Sequence, residues 1–207
     1  MSAMTVLDFA VAIVVGYFAG SINPAALIAR ARGVDLRASG SGNPGATNAA
    51  RVMGRKTGVV VLLIDILKGL IPVVLFTALI SPNAGALAGF AAIIGHMTSP
   101  FLKGRGGKGV ATTLGAVGGM YTWWLVPMLV VFAIVFVISK RTGIASIAGS
   151  AGLVVTALLT RPTPLLTVTG VLIGLLVISR HRANMAAAWA AWRAVPDDPE
   201  SEESAAG

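Results

Sequence analysis

No cysteine occurs in the 207 residues, which removes thiol nucleophiles, disulfides, iron–sulfur clusters and cysteine-ligated zinc. Carboxylates are almost as scarce: of eight acids, five (Asp197, Asp198, Glu200, Glu202, Glu203) sit in the last eleven residues. Only Asp8, Asp35 and Asp65 remain for the rest of the chain, too few for a catalytic carboxylate pair or a carboxylate metal cage. His96 and His181 are the two histidines, so neither a metal nor a cofactor is expected. Charged residues make up 12% of the chain, about half the share of a soluble domain. The chemistry left open belongs to Lys, Arg, Ser, Thr, Asn, His and backbone amides.

What is abundant is apolar: 56% of residues are hydrophobic and mean hydropathy is +0.84. A net charge of +8 would suggest nucleic acid in a soluble protein. In a chain this apolar it reads instead as the excess of Lys and Arg in cytoplasmic loops, and no nucleic-acid partner is expected. The partner implied is the lipid bilayer.

Apolar runs at 5–28, 58–80, 85–100, 144–160 and 164–179 read as spans. No basic residue precedes the first, which therefore reads as a membrane anchor rather than a cleaved signal peptide. Residues 110–139 are uncharged, about 45 Å as one helix, too long for one upright span and short for two. Breaking this run near Gly118-Gly119 keeps Lys140 and Arg141 on the same side as the other basic loops, so two short spans are favoured. The expected architecture is all-α: a polytopic integral membrane protein of seven short transmembrane helices, N-terminus outside and C-terminus cytoplasmic. With this parity fourteen of sixteen basic residues, all but Lys68 and Arg161, face the cytoplasm. Residues 1–195 form a single transmembrane domain, and 196–207 (PDDPESEESAAG) read as a disordered acidic tail.

Three polar segments, 37–56, 103–112 and 180–184, fall on that same face. The first contains Ser39-Gly-Ser-Gly-Asn-Pro-Gly-Ala-Thr-Asn48 and then Arg51. Gly40, Gly42 and Gly45 match the dinucleotide spacing G-x-G-x-x-G, but no strand precedes them and the next acid, Asp65, lies inside an apolar run. A flexible linker is one reading. The other is an anion or carbonyl site built from Ser41, Asn43, Thr47, Asn48, Arg51 and exposed amides. The second, Lys103-Gly-Arg-Gly-Gly-Lys-Gly-Val-Ala-Thr112, fails as a P-loop, since Leu102 stands where the first glycine belongs and Gly109 follows Lys108. Glycine amides, Lys108 and the start of the next helix nonetheless suit an anion. A basic anchor loop is the bland alternative. In the third, Arg180-His-Arg-Ala-Asn184, a helix puts His181 and Asn184 on one face, while snorkelling arginines explain the same charges. Asp65 and Lys68 are three apart within a span and permit a local ion pair. They also leave open a small transporter whose pathway they would line. His96 precedes Pro100 near the membrane boundary and could contact substrate, although a lone helix-end histidine is more often structural.

Taken in series, Gly20-Ser21-Ile22, Gly40-Ser-Gly-Asn-Pro-Gly-Ala-Thr-Asn48, Gly95-His96 with Gly106-Gly-Lys-Gly-Val-Ala-Thr112, and His181-Arg182 with Asn184 resemble the PlsY family of bacterial acyl-phosphate:glycerol-3-phosphate acyltransferases. The resemblance implies a multi-pass enzyme of the bacterial plasma membrane, monomeric, with its active site on the cytoplasmic face. It would move a fatty acyl group from acyl phosphate to the 1-hydroxyl of glycerol 3-phosphate, giving lysophosphatidic acid and phosphate for phospholipid biosynthesis. Carried over by motif, the catalytic candidates are Lys108, Arg51, His181 and Asn184. The substrate-binding candidates are Ser41, Asn43, Thr47, Asn48, Gly106, Gly107, Gly109 and Ser146. The His-x4-Asp pair of soluble-type glycerol-phosphate acyltransferases is missing, since Phe101 and Ala186 stand five residues after the two histidines.

Overall fold

The computed structural model describes residues 5–193. The expected tail at 196–207, and with it the domain boundary at 195, lie outside the described residues. All regular structure in the described residues is helical: α1 (Val6–Ser21), α2 (Pro24–Ala31), α3 (Ala46–Met53), α4 (Arg55–Leu79), α5 (Pro82–Thr98), α6 (Val110–Met120), α7 (Leu125–Ser139), α8 (Thr142–Thr160), α9 (Pro164–Arg180) and α10 (Arg182–Arg193), with single 3₁₀ turns at Pro100–Leu102 and Thr122–Trp124.

Five segments are long and apolar enough to cross a bilayer: Val6–Ala31, Arg55–Leu79, Pro82–Leu102, Thr122–Ser139 and Thr142–Thr160. A sixth candidate joins Pro164–Arg180 to Arg182–Ala190 across a 50° bend, and α6 is apolar but shorter. The helix ends follow local chemistry. Ser81 and Thr163 cap α5 and α9 through the amides of Ala84 and Leu166, each followed by a proline in the first turn.

One expected boundary differs. The first apolar run is broken at Asn23, whose side chain caps α2 by accepting from the Ala26 amide ahead of Pro24. The 110–139 run breaks near the expected place, at Tyr121 to Trp124, just beyond Gly118-Gly119. Those glycines stay helical because they make room for packing: a Cβ at Gly119 would meet Val73 of α4, and one at Gly118 would meet Leu125.

Small residues bring the helices together, as expected where lipid removes most of the hydrophobic drive for association. Gly16 and Gly20 of α1 lie so close to the Ala88 and Ala92 carbonyls of α5 that a Cβ at either would overlap backbone. Gly69 and Gly115 do the same between α4 and α6. The main core joins α4, α5, α6, α7, α8 and α9 around the fully buried Trp124, whose Nε1 donates to Thr160 at 2.9 Å. Large apolar side chains such as Val126, Val137, Val155 and Leu172 face outward, as a lipid-exposed surface requires.

Candidate functional site

Positive φ at Gly40 (61°) and Gly42 (67°) lets the chain before α3 curl over the buried Asn48. Asn48 accepts from the Ser41 amide at 2.8 Å and donates to the carbonyls of Leu36 and Ser39 at 3.2 and 3.1 Å. It therefore holds the loop, while Ser41, Asn43, Thr47 and Arg51 are presented on a cavity of 460 Å³. Ser41, Thr47 and Arg51 are exposed at its mouth. Among the described residues, the side chains of Asn43, Thr47 and Arg51 make no hydrogen bond or ion pair.

The glycine loop supplies the opposite wall. Lys103 (φ 53°) and Gly104 (φ 75°) reverse the chain after the 3₁₀ turn, and Gly109 (φ 84°) starts α6 in a conformation that L side chains rarely adopt. Lys108 and Gly109 line the cavity with Val110 and Ala111, the first turn of α6. Gly106 and Gly107 are not on its wall. Their amides, expected to face an anion, donate instead to the Met97 and His96 carbonyls at 3.0 and 3.1 Å. A Cβ at Gly106 would overlap the His96 carbonyl, and one at Gly107 would overlap the His96 ring. Both glycines press the loop against the end of α5. Arg37 donates to the Arg105 carbonyl, which joins the two loops.

The third segment closes the ring. His181 is 2% exposed and its Nδ1 lies 2.8 Å from the Val177 carbonyl. A carbonyl only accepts, so Nδ1 carries the proton and Nε2 is the free acceptor. Asn184, on the first turn of α10, accepts from Lys108 Nζ at 2.5 Å. Burial and the nearby Arg180 guanidinium pull the Lys108 pKa below the ordinary lysine value. Ser146 of α8 also lines the cavity, although its hydroxyl donates to the Thr142 carbonyl at 2.8 Å.

Asp65 and His96 line the same space. Asp65 Oδ1 lies 2.8 Å from Lys68 Nζ and 3.5 Å from His96 Nδ1, and Lys68 also donates to the Ile22 carbonyl at 2.6 Å. The charges on which a transport pathway would rest are thus engaged with each other. His96 thus stands where it could meet substrate, while no spacing in the sequence shows its pairing with Asp65.

Beyond the polar residues the cavity continues as an apolar arm between α4, α6, α7 and α8, lined by Leu62, Leu114, Met128, Leu129 and Phe132. A cationic, donor-rich head joined to an apolar trough suits a ligand with an anionic end and a hydrocarbon chain. Together the helices and the cavity point to an integral membrane enzyme.

Known proteins agree with this class. The family model described as glycerol-3-phosphate acyltransferase matches residues 10–191. The glycerol-3-phosphate acyltransferases of Geotalea daltonii and Myxococcus xanthus are each 40% identical over 176 residues, 84% of this chain and 91% and 92% of theirs. A crystal structure of PlsY (YgiH), an integral membrane glycerol 3-phosphate acyltransferase, in its glycerol 3-phosphate form, superposes with a TM-score of 0.84 at 32% identity, covering 88% of this chain and 92% of that one. Its lysophosphatidic acid form gives 0.82 at 31%. The chain belongs to the glycerol-3-phosphate acyltransferase family and is a membrane acyltransferase.

Proposed function

We propose that this enzyme transfers a fatty acyl group from acyl phosphate to the 1-hydroxyl of glycerol 3-phosphate, producing lysophosphatidic acid and inorganic phosphate in phospholipid biosynthesis. The observation that carries the reading is the two-part cavity, with Lys108, Arg51, His181 and Asn184 around its polar end and an apolar arm between helices. Acyl phosphate is an activated mixed anhydride, so no protein nucleophile is needed. The work is to hold two anions side by side and stabilise the charge that develops.

In this mechanism Arg51, Ser41, Asn43 and Thr47 bind the glycerol phosphate, and Lys108 with the first turn of α6 binds the phosphate of the donor. The glycerol hydroxyl oxygen attacks the acyl carbon, the bond from that carbon to the phosphate oxygen breaks, and the hydroxyl proton passes to the departing phosphate. Asn48, Gly109 and Ser146 shape the walls, while Gly106 and Gly107 fix the loop against the end of α5.

The topology we assign has seven crossings, α6 being the short one, with the N-terminus outside, the C-terminus cytoplasmic and the site on the cytoplasmic face of a bacterial plasma membrane. The basic residues of the three site-forming segments support it. We assign a monomer, because every residue invoked comes from one chain. The test is turnover by detergent-purified protein of palmitoyl phosphate and glycerol 3-phosphate into phosphate and lysophosphatidic acid. Silence with these substrates, and with acyl-coenzyme A and acyl-carrier-protein donors, rejects it.

A further inference from the structure

Arg180 stands outside the reaction just described, and its surroundings assign it a task. It ends α9 immediately before His181, and its guanidinium does not snorkel outward. Nη2 instead faces the carbonyl oxygens of Met97, Gly106 and Gly107 at 3.3, 3.4 and 3.3 Å. These three acceptors belong to the end of α5 and to the middle of the glycine loop, more than seventy positions away in sequence. Met97 is also the acceptor for the Gly106 amide, so one carbonyl is shared by the loop and the clamp.

A loop with four glycines between residues 104 and 109 loses much conformational entropy on ordering. Its own side chains give little anchorage: Lys103 and Arg105 are exposed, and Lys108 reaches only Asn184. One guanidinium nitrogen is shared among three converging carbonyls, and its positive charge strengthens each contact in a way a neutral side chain does not reproduce.

We infer that Arg180 is a positioning residue: it ties the glycine loop to the end of α9, so that Lys108 from the loop and His181 and Asn184 from the adjoining turn keep a fixed separation across the cavity. Its substrate-level consequence rests on the proposed reaction. Its structural consequence does not, and the experiment separates them.

Hydrogen–deuterium exchange of detergent-purified Arg180→Met is compared with wild type, reading the peptide that covers 103–112 against peptides of α4 and α5. Faster exchange by about tenfold in the loop peptide, with α4 and α5 unchanged, is the expected result. In turnover assays kcat falls about tenfold while the KM for acyl phosphate rises less, because a displaced Lys108 loses its aim at the charge that develops on the departing phosphate. Arg180→Lys keeps the charge on a differently shaped and shorter head and gives loop exchange between the two. Wild-type loop exchange in both folded variants overturns the clamp even if the enzyme turns over as proposed. Faster loop exchange in a protein with no turnover sustains the clamp and rejects only the reaction.

Discussion

Replacing Lys108 by alanine removes the ammonium that the glycine loop sends into the cavity. In wild type Nζ sits 2.5 Å from Asn184 Oδ1 and beside the first turn of α6, whose positive dipole end adds to the attraction the ammonium exerts on an anion. Loss of one preorganised donor to a developing oxyanion costs about 2.7–4 kcal/mol, or roughly 10²–10³ in kcat. The exposed mouth at Ser41, Thr47 and Arg51 admits water, which places the expected loss near the lower end, about 10². Asn184→Ala alone leaves the charge but no longer aims it, costing about tenfold. Because the two side chains share one hydrogen bond, the double variant falls short of the summed losses by about 1–2 kcal/mol. The assay is phosphate release from palmitoyl phosphate with glycerol 3-phosphate, normalised to monodisperse protein. Asp65→Asn is the comparison, since Asp65 is engaged by Lys68 and His96. Its activity per folded molecule stays above that of Lys108→Ala although its stability falls by about 3–5 kcal/mol, the cost of breaking a buried pair. The reverse ranking of release rates refutes the assignment of Lys108 to the departing phosphate.

The lowered pKa of Lys108 has two consequences of opposite sign. Activity needs the ammonium, so kcat/KM falls on the alkaline side at a lower pH than a free lysine, with its ordinary value of 10.5, would give. Stability gains between the folded and unfolded pKa, because there the unfolded chain binds more protons; an alkaline limb at or above the free-lysine value contradicts the burial argument. Gly20→Val places side-chain atoms into the Ala92 carbonyl and lowers the midpoint of thermal unfolding in detergent, by a strain of about 1–3 kcal/mol or more; an unchanged midpoint contradicts the close approach of α1 and α5. Trp124→Phe keeps most of the packing, removes the bond to Thr160 and costs about 1 kcal/mol, whereas Trp124→Ala costs about 3–5 kcal/mol. Leu114→Trp fills the apolar arm, raising the KM for palmitoyl phosphate more than for a short-chain donor and leaving that for glycerol phosphate in place.

The long apolar helices were legible because a bilayer demands long uncharged runs, and the start of α9 because Thr163 and Pro164 begin a helix for local reasons. Even the departures were local: Asn23 ahead of Pro24 is a capping signal, overlooked inside a continuous apolar run. The three polar segments could be picked out by composition, and their order and spacing pointed to the family. Geometry was another matter. Glycine spacing reads alike whether amides face a ligand or a neighbour, and only the packed loop tells Gly109, on the cavity, from Gly106 and Gly107, turned toward α5. The same limit applied to Arg180, which in sequence is one more basic residue at a helix end. Thus the sequence by itself determined the class, a helical membrane acyltransferase, because solvent preference and residue type are properties of each segment. Which donors remain free, and which hold the walls apart, was decided by contacts between segments seventy residues or more apart, and those exist only once the helices have packed.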